Sequence, residues 1–124
     1  MAKIYASTSS VINCVYTLSI ARNGSDIVVT ASGTIYGNGS SQNSSSDLYV
    51  HLCYNVSPAN TTGTNAPTSR GDRFGDGYKI VNRPLNKDSI PKSGLTFSKS
   101  WTITDNAART FSNCALFLSG SATD

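Results

Sequence analysis

Apolar and polar residues alternate in several separate segments of this chain, and the period is two. In INCVYTLSI (12–20), Ile12, Cys14, Tyr16, Leu18 and Ile20 share one face, with Asn13, Val15, Thr17 and Ser19 opposite. IVVTASGTIY (27–36) follows after ARNGSD, and Asn23-Gly24 between two apolar runs is a strong hairpin signal, because the favoured tight turns need positive φ. An antiparallel hairpin is therefore predicted, with both central turn positions in that region. DLYVHLCYNV (47–56) sets Leu48, Val50, Leu52, Tyr54 and Val56 against a mixed face of Tyr49, His51, Cys53 and Asn55. YKIVN (78–82) reads as a short strand. LTFSKSWTIT (95–104) alternates most cleanly, with Leu95, Phe97, Trp101 and Ile103 on one side. Lys99 falls on that apolar side, which predicts an edge or a bend. FSNCALFL (111–118) closes the series.

The segments between strands carry the breakers. GNGSSQNSSS (37–46) is a low-complexity tract expected to form a flexible loop or tip. SPANTTGTNAPTSRGDRFGDG (57–77) is a connection of 21 residues with two prolines and four glycines, long enough to suggest function or disorder. RPLNKDSIPKSG (83–94) has two more prolines and predicts an irregular or edge path. With about seven strands, no helical period and no internal repeat, the expected fold is all-β: one antiparallel β-sandwich over 1–124, immunoglobulin-like or jelly-roll.

Composition strengthens that assignment. The 124 residues include 20 Ser, 13 Thr and 11 Asn but no Glu and one Gln, so helix-supporting residues are scarce. The net charge is +3, and seven of the ten cations fall between Arg70 and Lys99. They are interspersed with Asp72, Asp76 and Asp88, a pattern that disfavours nucleic acid as a partner. MAKIYASTSS has no apolar h-region and no apolar run reaches 18 residues, so neither a conventional leader nor membrane insertion is expected.

Candidate chemistry is thin. Cys14, Cys53 and Cys114 stand far apart with one histidine, His51, so four local zinc ligands are not available and no metal or cofactor is expected. Buried reduced thiols are the favoured reading, with one disulfide and one free thiol as the alternative. The aspartates sit mostly at turns, where they serve the backbone, and no enzyme is expected. Two binding candidates remain. Tyr49 on the mixed face of its strand could stack on a sugar. The loop TSRGDRFGDGYK (68–79) pairs Arg70, Asp72 and Arg73 with Phe74 and Tyr78, a composition favoured at interfaces. Its Arg-Gly-Asp triplet is too short to identify a receptor ligand.

LTFSKSWTITDNAARTFSNCALFLSGSA (95–122) resembles the small β-sandwich modules of phage tail and fibre proteins, and VYTLSIARNGSDIVVTASGTIYG is similar to their first hairpin. The likeness covers about half the chain, and Asn106-Ala107-Ala108-Arg109 departs from the usual Asp-Gly turn. It implies a structural component of a phage particle, in tail, fibre or capsid decoration. Such a component is made in a host cytoplasm, resides in the virion, and partners itself or other virion proteins. The alternative is a module binding a cell-surface glycan or receptor through exposed aromatics and the 68–79 loop.

Overall fold

A computed structural model describes residues 3–4, 11–55, 72–104 and 114–123. Among these the chain is all-β, with no helix and eight strands in two sheets. The strands are β1 (Lys3–Ile4), β2 (Val11–Asn23), β3 (Asp26–Gly37), β4 (Leu48–Tyr54), β5 (Asp72–Arg73), β6 (Tyr78–Val81), β7 (Leu95–Ile103) and β8 (Ala115–Ser119). One sheet runs β2-β3-β7. The other runs β1-β8-β4, with β5 and β6 both on the far edge of β4. Every pairing is antiparallel except β1 with β8.

The predicted hairpin forms, but its turn sits one residue later than expected. Asn23 still pairs with Asp26, leaving Gly24-Ser25 as a two-residue loop in which Gly24 has φ of +66°. Only the first central position needs the left-handed region, which is the requirement of a type II′ rather than a type I′ turn.

Register explains the core. Across β2-β3-β7 the inward rows are Cys14, Ile35 and Leu95; Tyr16, Gly33 and Phe97; Leu18, Ala31 and Lys99; and Ile20, Val29 and Trp101. Leu48, Val50 and Leu52 of β4, with Leu116 and Leu118 of β8, face them from the other sheet. Tyr16 ties the sheets together: its hydroxyl accepts the Leu116 N–H at 3.1 Å inside the core. Burial pushes the Tyr16 phenol up to about 12, so that hydroxyl stays neutral at any ordinary pH.

Two segments without regular structure are firmly placed. The tract 37–46 makes its own local bonds: Asn38 Oδ1 accepts from Ser40 N at 2.9 Å, and Ser40 Oγ accepts from Gln42 N at 3.2 Å. It also pairs with the proline segment, through Ser44 and Leu85 in both directions and Lys87 N donating to Ser40 O at 2.8 Å. In that segment Asn86 Oδ1 accepts from the N–H groups of Asp88 and Ser89. The resulting turn delivers Leu85 and Ile90, both fully buried, into the core. The Arg83-Pro84 peptide is cis.

All three cysteines are buried thiols with no disulfide, as the favoured reading had it. Burial raises the Cys14 thiol to about 12 and raises Cys114 as well. Native protein at pH 8 is therefore expected to be inert to a thiol reagent such as Ellman's, with three thiols reacting on unfolding in guanidinium. Rapid reaction of the native form would contradict the burial.

Candidate functional site

The residues singled out by sequence fall on β4, β5, β6 and the loop between β5 and β6, and several are committed to the fold. His51 is buried, not presented to solvent. Its Nε2 lies 2.6 Å from Ser119 Oγ and 3.0 Å from the Ser121 carbonyl oxygen. A carbonyl only accepts, so the ring proton resides on Nε2. The loop after β5 lies over this ring. A Cβ on Gly77 would come 2.5 Å from His51 Cε1, and the Gly77 N–H donates to the Ala122 carbonyl at 2.7 Å.

The same loop accounts for the site candidates between 72 and 78. Asp72 is exposed, pairs with Tyr54 and accepts from Asn55 Nδ2 at 3.2 Å. Arg73 reaches Asp76 at 3.8 Å and the Ala122 carbonyl at 3.5 Å. Phe74, read from sequence as an interface aromatic, packs against the main core, and its N–H donates to the Leu52 carbonyl at 2.8 Å. An aromatic in a glycine-rich loop gave no signal that it would turn inward. Arg70 lies outside the described residues, as does Gly71, so the Arg-Gly-Asp triplet has only its Asp72 placed.

Of the candidate aromatics, Tyr78 and Tyr49 keep a place at the surface, on opposite faces of the same sheet edge. Tyr78 is 44% exposed, and the Lys99 ammonium sits 4.6 Å from its ring centroid. Lys99, the one cation on the inward face of β7, thus reaches across the open side of the sandwich to the other sheet. Its edge position was predicted, and β7 is an edge strand. Tyr49 is half-buried, with the Lys79 ammonium 5.9 Å from its centroid. A sugar stacking on either covered ring face would displace a lysine.

Beside Tyr49 lies an ion-pair group that the sequence did not reveal, because Asp47 looked like a turn residue. Its carboxylate is nearly buried and accepts from Arg83 three times, from the backbone N at 2.7 Å, Nε at 3.3 Å and Nη2 at 3.2 Å. Lys79 Nζ adds a contact at 3.5 Å. These Arg83 bonds hold the Asp47 carboxyl down, from an ordinary 3.8 to about 2. A group depressed in the folded state stabilises above its unfolded pKa and loses that contribution as pH falls through the folded one. Melting temperature is thus expected to drop between pH 4 and about 2, and Asp47→Asn to lower Tm at neutral pH while flattening that acid limb. An unchanged acid limb would remove Asp47 as its source.

The last surface is that of β2. That strand pairs only with β3 among the described residues, and it exposes Val15 on its outer face and Ile20 on its inner face, at 51% and 52%. Ile20 shares the inward row of Val29 and Trp101 but lies outside the core cluster, so an inward-pointing side chain is left in solvent. No three His, Cys or Asp side chains among the described residues form a metal cluster, and no described helix is long and apolar enough to cross a membrane. Comparison of the chain with protein-family models, curated proteins and solved structures gives no match.

Proposed function

We propose that this chain is a structural subunit that works by assembly, a component of a phage particle in its tail, fibre or capsid. The observation that supports assembly is β2, a strand of 13 residues that exposes Val15 and Ile20 and carries no charge from Val11 to Ala21. Uncharged apolar surface of this kind is what protein contacts bury. The particle assignment draws on the resemblance of the first hairpin and of 95–122 to virion modules. The location is then the virion, and the partners are copies of the chain or other particle proteins.

Mass spectrometry and immunogold labelling of purified particles test the assignment. Stoichiometric presence is expected, and absence from particles overturns it. A receptor- or glycan-binding role is the second reading, favoured by the exposure of Tyr78 beside Lys99. Under it, Tyr78→Ala abolishes binding on a glycan array or host cells without changing incorporation into particles.

A further inference from the structure

We infer that Tyr49, Lys79 and Arg83 form a subsite for an acidic sugar, with its oxyanion on the two cations and its ring over Tyr49. The site goes beyond the second reading above, which places recognition at Tyr78 on the other face of the sheet.

The strands bring these groups together. Tyr49 of β4 lies directly across from Lys79 of β6, so the two side chains share the outer face of that edge. Asp47 immediately precedes β4, and Arg83 stands just beyond β6. The nearly buried Asp47 carboxylate is the anchor. Lys79 Nζ at 3.5 Å and Arg83 Nη2 at 3.2 Å reach the same oxygen, Oδ2, so the two cationic heads are neighbours. A structural ion pair would be complete with Arg83 alone, which already gives Asp47 three hydrogen bonds. Lys79 is the surplus. No other acid reaches Lys79 or Arg83 among the described residues, so the group carries one positive charge in excess.

Arg83 is also oriented for a second anion. A guanidinium is a planar fork of five N–H donors. Nε and Nη2 face Asp47, so the remaining edge, formed by Nη1 and the second N–H of Nη2, points away from it. That edge matches a carboxylate or sulfate in bidentate geometry. The Arg83 and Lys79 side chains are 65% and 43% exposed, so a ligand reaches both without opening the fold. Because Asp47 stays ionised down to about 2, the anchor holds at any ordinary pH.

Tyr49 decides between ligands. The Lys79 ammonium stands over its ring, 5.9 Å from the centroid. A neutral sugar that stacks there displaces the ammonium and forfeits its contact with the ring. An acidic sugar gives the ammonium a new partner while its own ring takes the place over Tyr49. Selection of the charged sugar follows, and with it an affinity that falls as salt rises.

Isothermal titration of the full chain tests the subsite with two matched pairs, sialyllactose against lactose and trigalacturonate against its methyl ester. Glycerol phosphate supplies an oxyanion without a sugar ring. At least one acidic sugar is expected to bind at least about tenfold tighter than its neutral counterpart and than glycerol phosphate. Lys79→Met, which leaves all three Arg83 bonds to Asp47, should weaken that sugar at least about tenfold. Tyr49→Leu should weaken it too, as should Arg83→Lys, which keeps the charge and loses the fork. Lys87→Met removes an exposed charge elsewhere and controls for bulk electrostatics. Equal affinity for acidic and neutral sugars overturns the inference, as does glycerol phosphate binding as tightly as the acidic sugar. So does a loss in Lys87→Met as large as in Lys79→Met. Loss in Tyr78→Ala with Lys79→Met unaffected returns the sugar to the other face and overturns it as well. Should Tyr49→Leu or Arg83→Lys misfold, Lys79→Met decides. Refusal of both acidic sugars sinks the subsite, whatever neutral sugars bind at Tyr78.

Discussion

Gly37→Ala is expected to cost about 3 kcal/mol of stability, the upper range for overpacking a closed interior. At this chain length that corresponds to a Tm lower by roughly 10 °C. Gly37 ends β3 where the proline segment crosses it, and its N–H donates to the Pro91 carbonyl at 3.1 Å. A Cβ there would overlap the Ile90 carbonyl oxygen and lie 2.8 Å from its carbon. Those are backbone atoms, so no rotamer change relieves the clash. The backbone cannot retreat freely either, because Ile90 and Leu85 are fully buried on either side of the turn. Gly24→Ala is the informative control. Nothing lies within 4 Å of its Cβ position, so only the φ of +66° is penalised, about 1 kcal/mol. Urea unfolding of the two variants separates close approach from conformational cost. Equal losses would mean that the turn carrying Ile90 yields easily, and that the proline segment is a loose cover, not a plug.

Why that plug was invisible in the sequence is instructive. RPLNKDSIPKSG offers two isolated apolar residues among prolines and polar groups, with no period to assign them to a face. Their burial depends on Asn86 bonding Asp88 and Ser89, and on the Ser-rich tract pairing alongside, neither of which composition expresses. The tract itself was expected to be flexible because its residues bury nothing. Its order comes from hydrogen bonds, which low complexity does not forbid. The two sheets' principal strands, by contrast, were legible, because alternation fixes both the element and its inward face. Lys99 was legible for the same reason. A charge on an apolar face has few solutions, and an edge strand is one. β1 and β5 were missed, since two-residue strands have no period.

The candidate contacts divide along the same line. Tyr78 kept its surface place because it begins a strand at an edge, whereas Phe74, four residues earlier, is turned into the core by a loop whose path the sequence does not encode locally. Asp47 was passed over as a turn aspartate, although its partner Arg83 is 36 residues away and joins it only through the pairing of β6 with β4. The position of β2 shows a further limit. Sequence identified the strand and its hairpin partner, and only the sheet order shows that β3 is its one paired strand among the described residues.

Phe117→Ala should remove about 3–5 kcal/mol, as much as a truncation in the main core. That size would not be guessed from the alternation of β4, whose outer face reads Tyr49, His51, Cys53, a mixed set suited to solvent. In the structure Cys53, Ala115 and Phe117 form a second apolar cluster on that face, all fully buried, with His51 directly across from Phe117. Every residue of β8 is buried, so the strand has core on both faces. Such strands read as continuous apolar runs, and CALFL is one. The outer layer therefore contributes to holding the sheet, not only to covering it. Leu116→Ala supplies the comparison, since Leu116 lies on the opposite face of the same strand in the main cluster. Comparable losses in denaturant unfolding, with one cooperative transition in each variant, are the expected outcome. A Phe117→Ala loss below about 1 kcal/mol, well under the usual Phe truncation, would show that the outer face yields without disturbing the sandwich. Phe117 would then be a cover for the fold and not part of its core.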